Sequence, residues 1–294
     1  MRVGVQLPDG LKRKAIEICD KLEGDIILSG EHCFGACDID LNLLKEVDIV
    51  YHFAHTKILD LEKVVYVPYF IDYNVEKICE ILSNLKERRI ALISTAQYCH
   101  KLTEIKEKLE AIGYSVELRK GRRTELPGQV LGCDYSAIKN SEAEAIVFVG
   151  DGIFHAKGAA IYSGKKVYAL NPLNFELIEV DGADFLKERF LLISKCVGLK
   201  KLGIIVSSKP GQRRLKLAEE IQKKAKERGM KSLIVYFGDI TPEKLENLPF
   251  EFYVNTACPR ISYDDYRRFK IPIITPQEFD ILLGLKKDLE LDEI

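Results

Sequence analysis

The chain repeats one pattern of apolar and polar segments three times, and this repeat constrains the fold more than any other feature. Each copy opens with a short apolar strand, a polar turn and an amphipathic helix, and three more apolar strands follow. Apolar strands that alternate with helices predict parallel sheets with crossover helices. The copies have the length of domains rather than of solenoid repeats. We therefore predict three related α/β domains with parallel sheets, at residues 1–88, 89–200 and 201–294.

Composition and charge exclude several classes of protein. Of the 294 residues, 47% are hydrophobic and 30% are charged, which is the balance of a globular chain. The formal net charge of -1 provides no overall field that would attract nucleic acid or an anionic membrane. No apolar run approaches the roughly 18 residues of a membrane span, and the N-terminal segment lacks the features of a signal peptide. We expect a cytoplasmic protein that binds neither membrane nor nucleic acid directly.

Eight cysteines in such a chain are expected to be reduced thiols, which serve metal binding or catalysis more often than disulfides. Three of them, Cys19, Cys79 and Cys196, lie among apolar residues at helical spacing, where a cysteine is usually a small core residue. The other five lie in segments that read as loops: Cys33, Cys37, Cys99, Cys133 and Cys258.

Each predicted domain has a cysteine at the carboxyl end of one of its strands. Cys37 and Cys133 follow the second strands of the first two domains, and Cys258 follows the third strand of the last domain. Ligand sites in open parallel sheets form at this edge. Three domains with pseudo-threefold symmetry around a central cluster could bring three thiolates to one point. Cys33 lies four positions before Cys37, and it is either a further ligand or a bystander.

The number of ligands limits the kind of metal centre. A structural zinc site is normally closed by four Cys or His ligands. A [4Fe–4S] cluster that is held by three cysteines keeps one iron open for a substrate. Composition and spacing alone therefore predict a three-cysteine site between three domains, and they do not identify the reaction.

Seven short motifs resemble the radical enzyme family that carries out the first step of diphthamide biosynthesis. In chain order they are QLPDGL, GACD, YHFAHTK, STAQY, GDGIFHAKG, SSKPGQ and ACPRISYDD, and they extend over all three predicted domains. The resemblance implies that Cys37 of GACD, Cys133 of LGCD and Cys258 of ACPR hold a [4Fe–4S] cluster. It also implies that Cys33 and Cys99 are not cluster ligands.

The resemblance further implies a transferase that uses S-adenosylmethionine in an unusual way. Enzymes of this family cleave the bond between the sulfur and the γ-carbon and transfer the 3-amino-3-carboxypropyl group to a histidine of translation elongation factor 2. This implies an external electron donor and a homodimer. The cluster supplies the radical chemistry, and the protein supplies positioning and exclusion of water.

Five residues are candidates for binding the cofactor. Asp151, Gly152 and His155 of GDGIFH lie at the predicted functional edge of the second domain, where they could hold the amino-acid end of S-adenosylmethionine. Gln97 of STAQY and His55 of YHFAHTK are the other two candidates. A structural role for His55 and for its neighbour His52 stays open. In this motif Ala54 replaces the glycine that we would expect from the family.

Two other functions compete with this interpretation. A lyase similar to quinolinate synthase also builds a three-cysteine cluster from three repeated domains, and a zinc-bound assembly subunit would have no activity. The stretch SSKPGQRR lacks the GxxxxGK[ST] spacing of an NTPase phosphate loop. The basic residues Lys120, Arg122 and Arg123, which precede Cys133, are the candidate contact with the elongation factor.

Overall fold

The computed structural model describes residues 1–294. All strands of the first sheet are parallel, and the strand that comes second in the chain lies at one edge of this sheet. The strands are β1 (Arg2–Gln6), β2 (Asp25–Leu28), β3 (Ile49–Phe53) and β4 (Val64–Val67). Their order across the sheet is β2-β1-β3-β4, and β1 pairs in register with both of its neighbours.

The second sheet repeats this order and adds one strand. It consists of β5 (Arg89–Ser94), β6 (Ser115–Glu117), β7 (Ala145–Val149), β8 (Lys166–Leu170) and β9 (Leu177–Val180). The order is β6-β5-β7-β8-β9, and only β9 runs antiparallel to its neighbour. The sequence did not lead us to expect this edge strand.

The third sheet has the same order as the first. Its strands are β10 (Lys201–Ser207), β11 (Lys231–Phe237), β12 (Phe252–Asn255) and β13 (Ile273–Ile274). They are arranged as β11-β10-β12-β13, and every pair is parallel. The prediction of three related parallel-sheet α/β units is therefore confirmed.

Ten α-helices connect or cover the strands. They are α1 (Ala15–Cys19), α2 (Leu43–Glu46), α3 (Val75–Leu82), α4 (Leu102–Glu110), α5 (Phe154–Ser163), α6 (Ala183–Lys195), α7 (Leu215–Glu227), α8 (Pro242–Glu246), α9 (Pro259–Tyr263) and α10 (Pro276–Leu282). No helix is long and apolar enough to cross a membrane.

Local sequence explains where these helices begin and which face they bury. The side chain of Asn74 accepts a hydrogen bond from the backbone N–H of Lys77, so Asn74 caps the start of α3. Val75, Ile78 and Leu82 then recur on one face and are buried there.

Two helices pack on the sheet that follows them in the chain. The buried face of α3 joins the core of the second sheet, where it meets Ile90 and Leu92 of β5. In the same way Ile193 of α6 is buried with Leu202 and Ile204 of β10. The domain boundaries near residues 88 and 200 stay a prediction, and both helices lie before them in the chain.

The common strand order locates a crevice in each sheet. The first strand of each unit lies between the second and the third, so the connections from the first and third strands leave in opposite directions. In open parallel sheets, ligands bind at such a switch point beyond the carboxyl ends of the strands. The loops that follow β1, β3, β5, β7, β10 and β12 leave from these crevices, and the loops that follow β2 and β6 carry Cys37 and Cys133.

Candidate functional site

The loop that carries Cys37 is held by the third unit. Gly211 donates its backbone N–H to the carbonyl of Cys37 across 3.0 Å, and a Cβ on Gly211 would lie only 2.5 Å from the Cα of Cys37. The side-chain amide of Gln212 donates to the sulfur of Cys37 across 3.2 Å. Next to it, the Lys209 ammonium lies 2.7 Å from the carboxylate of Asp38. Glycine at position 211 therefore permits close contact between two units.

Cys133 lies in a tight turn of the second unit. Leu131 and Asp134 exchange backbone hydrogen bonds of 3.0 Å around it. The guanidinium of Arg123 is 3.9 Å from the sulfur of Cys133, and the carbonyl of Cys133 accepts the N–H of Ile294. A cationic side chain and the C-terminal segment thus both border this thiol.

Cys258 directly precedes α9 in the third unit. Pro259 occupies the first helical position, where the missing N–H costs nothing. Asn255 donates its side-chain amide to the carbonyl of Cys258 across 2.8 Å. Arg214 donates to the carbonyls of Thr256 and Ala257, so the approach to this cysteine is also fixed.

Three thiols, one from each unit, lie close enough to affect one another's ionisation. Burial raises the pKa of Cys258 to about 12, and the thiols of Cys37 and Cys133 raise it further. Burial also raises the pKa of Cys133 to about 12, again with a contribution from Cys37, and Arg123 opposes the rise. Without a bound cation these thiols stay protonated at neutral pH. The structure thus brings together the three predicted cysteines, and thiolates are ligands for zinc or iron–sulfur clusters.

Cys33 belongs to a different group of side chains. It is buried, and its sulfur lies within 4.8 Å of one nitrogen of His52 and one of His55. Nδ1 of His52 is 3.0 Å from the Oε1 of Gln6, and its Nε2 is 2.9 Å from Nδ1 of His55. Because Gln6 Oε1 can only accept, Nδ1 of His52 carries the proton, and Nε2 presents its lone pair.

The loop after β3 keeps the conformation that a glycine would favour. Ala54 has a φ of 66°, in the left-handed region that costs an L-residue roughly 1–2 kcal/mol. The carbonyl of Ala54 accepts the side-chain amide of Gln97 across 3.1 Å. Two of the predicted cofactor residues, His55 and Gln97, therefore lie close together where the first unit meets the second.

The other three predicted cofactor residues lie in one turn after β7. Asp151 and Gly152 are exposed, and Gly152 has a φ of 69°. His155 is half-buried against Phe148, with ring centroids 5.7 Å apart, and burial lowers its pKa to about 4, assisted by the charge of Arg260. His155 is thus neutral at pH 7.

This turn lies beside two of the loops described above. The ring of Phe154 covers Gly132, because a Cβ there would lie 2.6 Å from the ring. Burial raises the pKa of Tyr98 to about 12, and Asp151 adds to the rise, so the turn also borders the segment that contains Gln97. Between the second and third units, a cavity of about 200 Å³ is lined by Gly132 and Phe154 among others.

The sequence did not indicate that the C-terminal segment covers this region. Asp292 is buried and accepts two hydrogen bonds from Arg214, at 2.8 and 2.5 Å. The backbone of Ile294 pairs with Cys133, and its carbonyl oxygen accepts from Arg123 across 2.7 Å. One short segment therefore ties the loop before Cys258 to the loop of Cys133.

These contacts change the interpretation of the basic residues before Cys133. Arg123 is turned inward to Ile294 and Cys133, so it is not available as an external contact. Arg122 lies 3.3 Å from Glu293 but keeps 62% of its side-chain surface exposed, and Lys120 is exposed. Only these two remain candidates for contact with a partner protein.

Sequence reasoning also missed the roles of Lys209, Gln212 and Arg214. The first two belong to the SSKPGQ motif, which the sequence analysis used only for the family resemblance. The proline and glycine of that motif signalled a tight turn. Nothing in one sequence indicates that the turn packs on Cys37.

Comparison with known proteins identifies the family. Residues 7–294 match the family model described as "Putative diphthamide synthesis protein". The chain belongs to the diphthamide synthesis family. The 2-(3-amino-3-carboxypropyl)histidine synthase of Pyrococcus horikoshii is 41% identical over 304 residues, which cover 100% of this chain and 89% of that protein. The enzyme of the same name from Methanocaldococcus jannaschii is 31% identical and covers 100% and 87%.

A solved structure of the family has the same fold. It is titled "Crystal structure of Dph2 from Pyrococcus horikoshii with 4Fe-4S cluster" and matches with a TM-score of 0.93 at 39% sequence identity. The match covers 100% of this chain and 89% of that one. The resemblance that the seven motifs indicated is thus confirmed, and so is the three-unit fold.

Proposed function

We propose that this member of the diphthamide synthesis family is a 2-(3-amino-3-carboxypropyl)histidine synthase. It transfers the 3-amino-3-carboxypropyl group of S-adenosylmethionine to a histidine of translation elongation factor 2, in the cytoplasm. The observation that carries the proposal is the convergence of three half-buried thiols, one from each unit. The names of its relatives support the same activity.

Cys37, Cys133 and Cys258 are the proposed ligands of a [4Fe–4S] cluster. The donor set fits this group because each of the three loops offers one thiol, while Cys33, the other cysteine in the loop of Cys37, groups with His52 and His55 instead. When bound, the cluster supplies the electron for reductive cleavage of the sulfonium and an open iron for its substrate. The guanidinium of Arg123 and the amide of Gln212 favour the thiolate forms of Cys133 and Cys37.

His55, Gln97, Asp151, Gly152 and His155 are the proposed contacts of S-adenosylmethionine. Asp151 is exposed at the turn and suits the positive ammonium of the amino-acid end. Neutral His155 offers a ring nitrogen without adding charge beside a sulfonium. The glycine at 152 lets the backbone approach a ligand closely.

The protein substrate must reach this region directly. A carbon radical has to form within about 3–4 Å of the histidine that it modifies, so the elongation factor must insert a loop between the units. The net charge of -1 gives little long-range attraction, and we expect modest binding. A homodimer and an external electron donor complete the proposed system.

An anaerobic reaction with S-adenosylmethionine, a reductant and elongation factor 2 tests the proposal. Mass spectrometry should find a 3-amino-3-carboxypropyl group on one histidine of the factor. Cys133→Ala should abolish both the transfer and the cluster, whereas the control Cys99→Ser should retain both. Full iron and sulfide content in Cys133→Ala would contradict the three-thiol site.

A further inference from the structure

A second group of metal-ligand side chains lies in the first unit, apart from the three thiols of the proposed cluster. Cys33, His52 and His55 each offer one ligand atom, and these three atoms lie within 4.8 Å of one another. Cys33 is 3% exposed and His52 is fully buried. We propose that these three residues form a mononuclear zinc site.

The ligand types favour zinc among the common divalent ions. One thiolate and two imidazoles form a set of borderline softness, which suits zinc and does not suit magnesium or calcium. When zinc binds, the metal forms a bond with the sulfur of Cys33, whose proton leaves to solvent. It also forms bonds with Nε2 of His52 and with Nδ1 of His55, whose proton moves to Nε2, the ring nitrogen that stays available to S-adenosylmethionine. No electron is transferred, so the site needs no further reactant.

The geometry needs little change to accept the ion. Nε2 of His52 and Nδ1 of His55, which already face each other, are 2.9 Å apart. Two nitrogens on one tetrahedral zinc lie roughly 3.3 Å apart, given Zn–N bonds of about 2.05 Å. Zinc would therefore replace the hydrogen bond between the two rings, and the nitrogens would separate by a few tenths of an ångström as both lone pairs turn to the metal.

An outer residue orients the first histidine. Gln6 accepts from Nδ1 of His52 at 3.0 Å, while its own amide donates to the carbonyl of Asp38 at 2.7 Å. Ligating histidines usually bond their second nitrogen in this way, which fixes the ring and directs the other lone pair at the metal. This support is already in place without the ion.

The position of the site suggests what the metal does. Cys33 precedes Cys37 by four residues in one loop, whereas both histidines belong to β3 and the loop after it. An ion bound by all three would cross-link these two segments. Such an ion would order the loop of Cys37, and water would complete its coordination, as in the open class of zinc sites with three protein ligands.

The test must separate this site from the cluster ligands, which could also bind zinc. We would replace Cys37, Cys133 and Cys258 with Ala together and titrate the full-length chain anaerobically with Co²⁺, a spectroscopic substitute for zinc. The proposal predicts one equivalent of bound Co²⁺ with a thiolate-to-cobalt charge-transfer band, displaced by Zn²⁺. Absence of that band in folded protein, judged by circular dichroism, would overturn it.

Single changes in the same background identify the ligands. Cys33→Ser should remove the charge-transfer band, and His55→Ala should weaken Co²⁺ binding at least tenfold. The matched controls Cys99→Ser and His100→Ala should leave both unchanged. A band that persists in Cys33→Ser would show that another cysteine binds the ion, and the proposed site would be wrong. Because this background has no cluster, the result does not depend on the proposed transferase activity.

Discussion

The side-chain amide of Gln212 lies 3.2 Å from the sulfur of Cys37 and donates a hydrogen bond to it from the neighbouring unit. Gln212 is buried, so water cannot replace this bond if the side chain is lost. A residue of the third unit therefore contributes to the environment of the Cys37 thiol, which belongs to the first unit. The thiol site is therefore assembled between units rather than within any one of them.

Gln212→Leu should weaken the proposed cluster without abolishing it. A hydrogen bond to a charged group contributes about 1.5–3 kcal/mol, so its loss should speed release of iron to a chelator about tenfold or more. Iron release can be followed by absorbance under anaerobic conditions. Gln222→Leu is the matched control, because Gln222 is a half-buried glutamine on α7 that bonds only to the carbonyl of Ser232. Equal release rates for the two variants would show that the hydrogen bond from Gln212 does not stabilise the cluster.

Asp292→Asn should loosen the C-terminal segment. The buried carboxylate of Asp292 forms two hydrogen bonds with Arg214, and its replacement leaves that guanidinium without a counter-charge. Amide hydrogen exchange should become faster in residues 289–294 and around Cys133. Glu290→Gln, which affects only an exposed pair with Lys286, should exchange like the wild type. Unchanged protection in Asp292→Asn would mean that other contacts hold the segment.

Glu278→Gln should destabilise the third unit strongly. Arg189 and Glu278 are fully buried and form two hydrogen bonds of 2.7 Å. Removal of one charge from a buried pair costs about 3–5 kcal/mol, because the other charge stays buried without a partner. The midpoint of urea unfolding should fall accordingly. The control Asp184→Asn breaks an exposed pair with Lys187 and should leave the midpoint in place. A similar midpoint in both variants would show that the buried pair of Arg189 and Glu278 does not stabilise the third unit.

His155 should make the protein less stable in mild acid. Its pKa in the folded chain is lowered to about 4 by burial and by Arg260, whereas an unfolded chain titrates near 6.5. The unfolded state therefore binds more protons below pH 6.5, and stability falls as the pH drops from there towards 4. At pH 5 the loss from this residue reaches up to about 2 kcal/mol.

The measurement compares urea unfolding of the cluster-free chain at pH 7 and pH 5. His155→Gln should reduce the loss of stability between the two, since glutamine does not titrate. Gln222→Leu removes no titratable group and should keep the wild-type loss. An unchanged pH dependence in His155→Gln would show that the imidazole is not held neutral by its surroundings.

The sequence predicted those parts of the fold that depend on local periodicity. Strand and helix patterns repeat at fixed places, so the three sheets and their parallel strands could be inferred. The edge strand β9, Leu177–Val180, was missed because it is short. It also pairs antiparallel with β8 across a turn, so it lacks the crossover helix that marks the parallel strands in the sequence. The three thiols were found because each follows a strand.

The rest of the site depends on contacts between distant segments. The bonds from Gln212 to Cys37 and from Arg214 to Asp292 join residues 175 and 78 positions apart. Periodicity carries no information over such separations. The grouping of Cys33 with His52 and His55 was missed for the same reason, since the loop of GACD and the strand β3 meet only in three dimensions.

The fragment that is left from S-adenosylmethionine shows which of its carbon–sulfur bonds the enzyme cleaves. The wild-type enzyme should be incubated anaerobically with reductant, S-adenosylmethionine and elongation factor 2, and the small molecules should be separated by liquid chromatography. Transfer of the 3-amino-3-carboxypropyl group should leave methylthioadenosine in amounts that match the modified histidine. Recovery of 5′-deoxyadenosine as the main fragment, with no 3-amino-3-carboxypropyl group on the factor, would contradict it.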